Sequence, residues 1–174
     1  MIRRLLPLLP LVALTGCLSF ERVLYQIDLT AGKAVFIWQD LRGTGAGDFN
    51  DLLEDYVQGD AASKEFPRAV VEKKFMAPDG DSLDFELHLS FTSPDQLGIL
   101  SWDAEHPYRF CPPDGLTIRA ANADFRDPDG CVVWRAGATS LHIEAMRIDG
   151  VADETLLDEY KRWSLFRSKE GLKK

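Results

Sequence analysis

The stretch SLDFELHLSFT, residues 82–92, constrains the fold more than any other part of this 174-residue chain. Successive side chains of a β-strand point to opposite faces, and here apolar and polar residues alternate without a break. Such a strand belongs to an antiparallel sheet with one face buried and the other in contact with water. The apolar side carries Leu83, Phe85, Leu87, Leu89 and Phe91, and the polar side carries Asp84, Glu86, His88 and Ser90.

Shorter runs of the same kind predict that the rest of the sheet is also mainly antiparallel. The segments between these runs are too short for the helical crossovers that parallel neighbours need. The tripeptide Pro-Asp-Gly, which favours tight turns, lies between predicted strands and begins at Pro78, Pro113 and Pro128. The other predicted strands span residues 23–29, 34–41, 69–76, 108–111, 116–120, 131–135 and 139–148.

Two segments have the apolar spacing of amphipathic helices. The first runs from the capping residue Asp48 to Gly59, with apolar residues three and four positions apart. The second spans residues 153–167, with acidic residues near its start and basic residues near its end, as the helix dipole favours. We therefore expect an α+β fold: a largely antiparallel sheet of about seven or eight strands, a helix after the second strand and a C-terminal helix. A β-sandwich with helical additions is the alternative.

The first residues of the chain are typical of an export signal. Arg3 and Arg4 precede an apolar stretch, Leu5–Leu14, whose length suits the core of a signal peptide. A membrane-spanning helix needs about 20 apolar residues, and two prolines would interrupt this one. Residues 1–16 are therefore predicted to be a signal peptide.

The four residues Leu14-Thr15-Gly16-Cys17 resemble the lipobox of bacterial lipoprotein precursors. In that family a diacylglycerol is attached to the cysteine thiol, a peptidase cuts just before the cysteine, and the new amino group is usually acylated. The resemblance implies that Cys17 is the lipidated start of the mature protein. It also implies the outer membrane, because the next residue is Leu18, and an aspartate there usually retains a lipoprotein in the inner membrane.

The mature chain divides into three parts on this interpretation. Residues 17–22 form the lipidated cysteine and a short tether, residues 23–167 form a single domain, and residues 168–174 form a basic tail. Six residues span roughly 20 Å even when extended, so the domain is expected to stay close to the lipid headgroups.

The count of cysteines agrees with lipidation. There are three, and an odd number in an exported protein needs an explanation. If Cys17 carries lipid, Cys111 and Cys131 are left to form a disulfide in an oxidising compartment. That bond would close a loop of about 20 residues and stabilise the fold by about 3 kcal/mol. Two reduced, buried thiols are the alternative.

Charge is distributed unevenly along the chain. The formal net charge is −8, and an acidic surface of this kind excludes nucleic acid as a partner. From residue 161 onward there are six basic residues and one acidic residue, whereas the rest of the mature chain has 12 basic and 27 acidic residues. The basic end could contact anionic lipid or another envelope polymer. The alternative is that these basic residues only complement the negative end of the helix dipole and are followed by a solvated tail.

One pair of short motifs could carry chemistry. Glu86 and His88, and likewise His142 and Glu144, lie two residues apart and therefore on one face of a strand. If the two strands were neighbours in register, these four residues could bind zinc or act in acid–base catalysis. Charged cross-strand pairs on a solvated face are the alternative.

Three other patterns are weak. The glycines at 43, 45 and 47 do not have the spacing of a phosphate-binding loop. The aspartates of residues 124–131 lack the frame of a calcium loop. The tryptophans could stack on sugars, but most of them are expected in the core, and His106 is expected in a loop.

These features predict a bacterial envelope lipoprotein that binds or scaffolds a partner at the membrane surface and is not an enzyme. No catalytic, cofactor-binding or metal-binding residue is assigned, and the expected partners are the membrane and a protein or envelope polymer. The alternatives are a small envelope enzyme or metal-binding protein that uses the Glu/His face, and a carrier of an apolar ligand.

Overall fold

The computed structural model of the chain describes residues 18–44, 46–101, 108–148, 150 and 154–171. It is an α+β protein with one large antiparallel sheet, smaller sheets and a C-terminal helix, and the predicted fold class is therefore confirmed. The predicted signal peptide and the lipobox with Cys17 lie outside the described residues, as do Gly45, Trp102 and His106.

Eleven strands lie in the described part of the chain, and the longer ones match the predicted strands to within a few residues. They are β1 (Arg22–Asp28), β2 (Lys33–Gln39), β3 (Arg42–Gly43), β4 (Val70–Asp79), β5 (Ser82–Ser90), β6 (Tyr108–Phe110), β7 (Leu116–Ala121), β8 (Phe125–Arg126), β9 (Val132–Trp134), β10 (Ser140–Arg147) and β11 (Glu154–Thr155).

The strands form three sheets. The large sheet has six strands in the order β4-β5-β2-β1-β10-β7, and every neighbouring pair is antiparallel. A three-stranded sheet has the order β6-β9-β8, and β3 pairs with β11. At each of the Pro-Asp-Gly turns the glycine has a positive φ, between 59° and 81°, which explains why glycine occupies that position.

One face of the large sheet, which we call the inner face, is buried. Alternate residues of each strand are fully enclosed there, including Tyr25, Phe36, Trp38 and Phe85. Their rings contact one another, with centroids 5.1 Å apart for Tyr25 and Phe36 and 5.5 Å apart for Trp38 and Phe85. Burying side chains of this size contributes about 1.5–3 kcal/mol each, so this layer supplies most of the driving force for folding.

Helices cover part of the inner face. They are α1 (Ala46–Asp51), which continues into a π-helix (Leu52–Gln58), then α2 (Ala61–Glu65), a 3₁₀ turn (Pro94–Leu97) and α3 (Leu157–Gly171). The predicted helix after the second strand is present, but the two-residue strand β3 comes before it and half of it is π-helical. Its predicted apolar face is correct, because Phe49, Leu52, Leu53 and Tyr56 are buried and Val57 packs against the core.

The three-stranded sheet covers another part of the inner face. Phe110 of β6 packs on Tyr25 with ring centroids 5.0 Å apart. The opposite side of the large sheet, which we call the outer face, carries half-buried and exposed residues such as Leu24, Val35 and Ile37. Among the described residues no element packs over the outer face, so in that part of the chain the large sheet has one covered face and one open face.

The first described residues belong to the folded body. Leu18 and Phe20 are buried, and Ser19 exchanges two backbone hydrogen bonds of 2.8 Å with Arg42. Residues 18–20 are therefore part of the domain, whereas the sequence assigned them to the tether. Since nearly all described core residues form one cluster from Leu18 to Leu157, the described part of the chain has a single main core.

Candidate functional site

The sheet order separates the two predicted Glu/His pairs. Glu86 and His88 lie on β5, while His142 and Glu144 lie on β10, and β2 and β1 run between these strands. Since neighbouring strands are about 4.8 Å apart, the pairs are roughly 14 Å apart across three strand spacings. Metal–ligand distances near 2 Å cannot be met over that span. The alternative in which these four residues form one shared metal or catalytic site is therefore excluded by the sheet order.

The pairing nevertheless places the four residues on one surface. The register aligns His88 with Val35, Gln26 and His142 in one row across the outer face. The adjacent row aligns Glu86 with Ile37, Leu24 and Glu144. The outer face therefore has an apolar centre with a histidine and a glutamate on either side of it.

The β5 pair makes local contacts. Nε2 of His88 lies 3.1 Å from Oε2 of Glu86, and the imidazole stacks on Phe75 with centroids 5.8 Å apart. The ammonium group of Lys73 lies over the Phe75 ring, 4.2 Å from its centroid, where the ring attracts a cation. These contacts fix His88 in a layered arrangement on the surface.

The β10 pair is held by basic residues and an amide. The carboxylate of Glu144 lies 3.3 Å from Nη1 of Arg119 and 3.8 Å from Nη1 of Arg22. The backbone N–H of His142 donates to Oδ1 of Asn122 at 2.8 Å, and the His142 side chain is exposed. Both predicted pairs are thus part of ordinary surface networks, and neither is a metal cluster.

A shallow cavity opens beside His142 on the outer face. Its volume is about 310 Å³, and its lining includes Leu24, Gln26, Ala120, Asn122 and Glu144. A concave apolar floor with a few polar groups at its edge is the usual form of a binding surface. The cavity has this composition, since its lining is mainly apolar and includes the polar side chains of Gln26, Asn122 and Glu144.

The aspartate-rich segment, residues 124–131, is a turn held by an arginine. Asp127 accepts hydrogen bonds from the N–H groups of Asp129 and Cys131, and from Nε of Arg109 at 2.7 Å. Arg109 Nη2 also lies 3.0 Å from Asp129. The guanidinium holds the pKa of Asp127 below its usual value, although burial opposes this. The positive charge next to these aspartates is therefore the guanidinium of Arg109 and not a bound metal ion. The described residues contain no group of three or more potential metal ligands.

The glycine-rich segment has a structural explanation. Oδ2 of Asp48 accepts hydrogen bonds from the backbone N–H of Thr44 at 2.6 Å and from its hydroxyl at 2.9 Å. A carboxylate thus occupies the position near the helix start where a phosphate would bind. Gly43 is buried in β3, where an added Cβ would come within 2.8 Å of Asp48. Trp38 and Trp134 are core residues and cannot stack on a sugar.

A buried carboxyl group was missed by the sequence analysis. Oε1 of Glu65 accepts a hydrogen bond of 2.7 Å from the Tyr56 hydroxyl, and its Oε2 has no hydrogen-bond partner among the described residues. Burial raises the pKa of Glu65 to about 7, while the bond from Tyr56 acts in the opposite direction. The sequence of residues 60–67 has no apolar periodicity that could indicate an enclosed side chain at this position.

The predicted disulfide is present. Cys111 follows β6 and Cys131 precedes β9, and the bond between them closes a segment with a sequence separation of 20. Since the chain has three cysteines, Cys17 has no cysteine partner left within the chain.

No protein-family model, curated protein or solved structure matches the chain. Within the described ranges, no helix combines the length and the apolar character required to cross a bilayer.

Proposed function

We propose that this chain is an exported envelope lipoprotein, held at the outer membrane by acyl chains on Cys17, whose domain binds a partner without catalysing a reaction. The observation that carries the proposal is the Cys111–Cys131 disulfide, because it leaves Cys17 as the one cysteine of the three without a partner. Disulfides persist in oxidising compartments, which agrees with export. Lipidation at the lipobox then accounts for the remaining cysteine, Cys17.

The folded residues next to Cys17 support anchoring close to the bilayer. Because Leu18 is buried and Ser19 is paired with Arg42, a lipid on Cys17 would be attached directly to the folded body. Two or three acyl chains, at about 0.8 kcal/mol for each buried CH₂, give a stable anchor where one does not.

The outer face supports binding as the activity. It combines the apolar row of Leu24 and Ile37 with charged residues at both ends, and in the described part of the chain no element covers it. Its charged groups are engaged with neighbours, which suits recognition of a surface better than proton transfer. We expect the partner to be a protein or an envelope polymer.

The test is native mass spectrometry of the full chain after expression in a Gram-negative host and mild detergent extraction from its membranes. We expect a polypeptide that starts at Cys17, carries acyl chains, and is two hydrogens lighter because of the disulfide. The C17S variant is the control and is expected to lose the acyl mass and leave the membrane fraction. A chain without acyl groups that starts at another residue would contradict the anchor, and an added ligand-sized mass would favour a carrier of an apolar molecule.

A further inference from the structure

The C-terminal helix has two different faces. Leu157 is buried and Tyr160 and Trp163 pack against the core, with Trp163 6.4 Å from Phe49 between ring centroids. On the opposite side, Leu165 is 62% exposed and Phe166 is 67% exposed. Leaving two large apolar side chains in water is costly, and they lie together on a helix that is otherwise polar on that side.

Basic residues surround these two apolar side chains. Arg162 is three residues before Leu165 and four before Phe166, and Lys161 is four before Leu165, so all four share one helix face. We call this the outward face of α3, comprising Lys161, Arg162, Leu165 and Phe166.

The cations of the outward face are available to a partner. Arg162 lies 2.8 Å from Glu159 and Lys161 lies 3.9 Å from Asp158, but both are exposed pairs within one helix. Such pairs contribute little and exchange readily with other anions. Residues 161–174 carry six basic residues and one acidic residue, whereas the rest of the mature chain is strongly acidic. A negatively charged surface would attract this end of the molecule and repel the remainder.

The helix begins close to the point where an anchor would attach. Arg42 of β3 is bonded to Ser19 on one side and paired with Thr155 of β11 on the other. Ser19 and Thr155 are therefore two strand spacings apart, roughly 10 Å. Phe166 lies nine residues beyond Leu157, which is about 14 Å along a helix.

We propose that the outward face of α3 binds an anionic lipid surface, with Leu165 and Phe166 inserted among the acyl chains and Lys161 and Arg162 paired with headgroup phosphates. Apolar side chains flanked by lysine or arginine on one exposed face are characteristic of helices that lie in a membrane interface. The inference extends the proposed function by giving the anchored domain a second contact, which would fix its orientation on the bilayer.

The test uses the mature chain without lipid. Residues 17–174 with C17S are exported behind an ordinary cleavable signal, so that the disulfide forms, and are mixed with vesicles of phosphatidylglycerol and phosphatidylcholine. We expect sedimentation with these vesicles, weaker binding as salt rises, and no binding to vesicles of phosphatidylcholine alone.

Matched variants distinguish binding through the outward face from nonspecific adsorption to the vesicles. L165S/F166S should lower the vesicle affinity by about tenfold or more, and K161Q/R162Q should lower it by about fivefold for each charge. V70S is the control, because Val70 is 65% exposed and lies on β4, an edge strand of the large sheet, where it pairs with Ser90. Circular dichroism and thermal unfolding of each variant check that the fold is intact.

Absence of binding to anionic vesicles, or equal binding by the L165S/F166S and V70S variants, would overturn the inference. Because the tested chain carries no lipid, this result does not depend on whether Cys17 is acylated. Failure of the anchor is instead detected by the mass of the membrane-extracted protein.

Discussion

Glu65 is held in a position that disfavours its charge. Its carboxyl group lies between α2 and the π-helix, where it accepts a bond from Tyr56 and has one oxygen without a partner in the described part of the chain. Burial raises the pKa of Tyr56 as well, so the pair is most stable with both protons in place. This makes the region sensitive to pH around neutrality.

We predict that the stability of the domain falls as pH rises through the range in which Glu65 ionises. The pKa of this carboxyl rises from 4.5 in the unfolded chain to about 7 in the folded protein. Between these values the folded state binds more protons than the unfolded state, so the free energy of unfolding decreases as pH increases. E65Q, which stays neutral, should flatten this decrease in urea titrations at about pH 5, 6, 7 and 8.

The control is E54Q, because the Glu54 side chain is exposed on the neighbouring π-helix. It removes the same charge and should leave the slope with pH unchanged. Equal slopes for E65Q and the unmodified chain would show that burial of Glu65 does not govern this pH dependence.

Asp40 is another residue with an unusual environment. Its φ is +55°, which most residues with a side chain avoid. The side chain of Asp84 accepts a hydrogen bond of 3.0 Å from the Asp40 N–H, and Oδ2 of Asp40 lies 2.8 Å from Nε of Arg42. These contacts hold the corner between β2 and β3 and explain why the buried Asp84 is retained, although burial raises its pKa.

At the scale of elements, the π-helix depends on the glycine that ends it. A Cβ at Gly59 would lie 2.5 Å from the carbonyl oxygen of Glu54 and 2.6 Å from that of Asp55. The wide turn of the π-helix brings these carbonyl groups towards residue 59. The Gly59 carbonyl in turn accepts a hydrogen bond from Lys74 of β4, which ties the helix end to the sheet.

We predict opposite effects for alanine at two glycines of this segment. G59A should destabilise the domain by about 1–3 kcal/mol, because the backbone must shift to relieve the contact. G47A should be neutral or stabilise by up to about 1 kcal/mol, because Gly47 is helical and open space surrounds its Cβ position. Chemical denaturation of both variants measures the difference, and a loss of stability in G47A equal to that in G59A would contradict this explanation.

The sequence predicted an element well where the burial of one of its faces determines its secondary structure. Alternation identified β5, and the three-and-four spacing identified the buried residues of the first helix, because burial of one side imposes those periods. The same spacing fits an α-helix and a π-helix over two turns, so it could not show that Leu52–Gln58 is π-helical. The two-residue strands β3, β8 and β11 had no pattern of their own, since they form only where distant segments meet.

Sheet order was the feature of the whole molecule that could not be predicted. Alternation assigns a residue to a face but does not say which strand lies beside it. His88 and His142 do lie on one surface, but the sequence could not show whether their strands are neighbours, and β1 and β2 lie between them. The disulfide was predictable because the resemblance to a lipobox assigned Cys17 another role, which left Cys111 and Cys131 as a pair.

We predict that the disulfide has a substantial effect on the stability of the whole domain. The loop it closes contains β7, the edge strand of the large sheet, and β8 of the small one. C111A/C131A should therefore lower the free energy of unfolding by about 3 kcal/mol, the chain-entropy value for a loop of about 20 residues. Denaturation of the oxidised chain and of the variant gives this difference.

The matched control is the unmodified chain under a reducing agent, which should lose the same stability. A loss below about 1 kcal/mol in both cases would mean that the unfolded chain is already compact in this region.

The position of β1 has a mechanical consequence. This strand follows almost directly after Ser19, and seven residue pairs join it to β2 and another seven to β10. A pull on an anchor at Cys17 would act along a strand at the middle of the sheet. Hydrogen bonds between strands run across this direction, so they would share the load and fail together in shear instead of opening one after another. A domain anchored in this way would have to break the ladders on both sides of β1 at once, whereas an edge strand has a ladder on one side only.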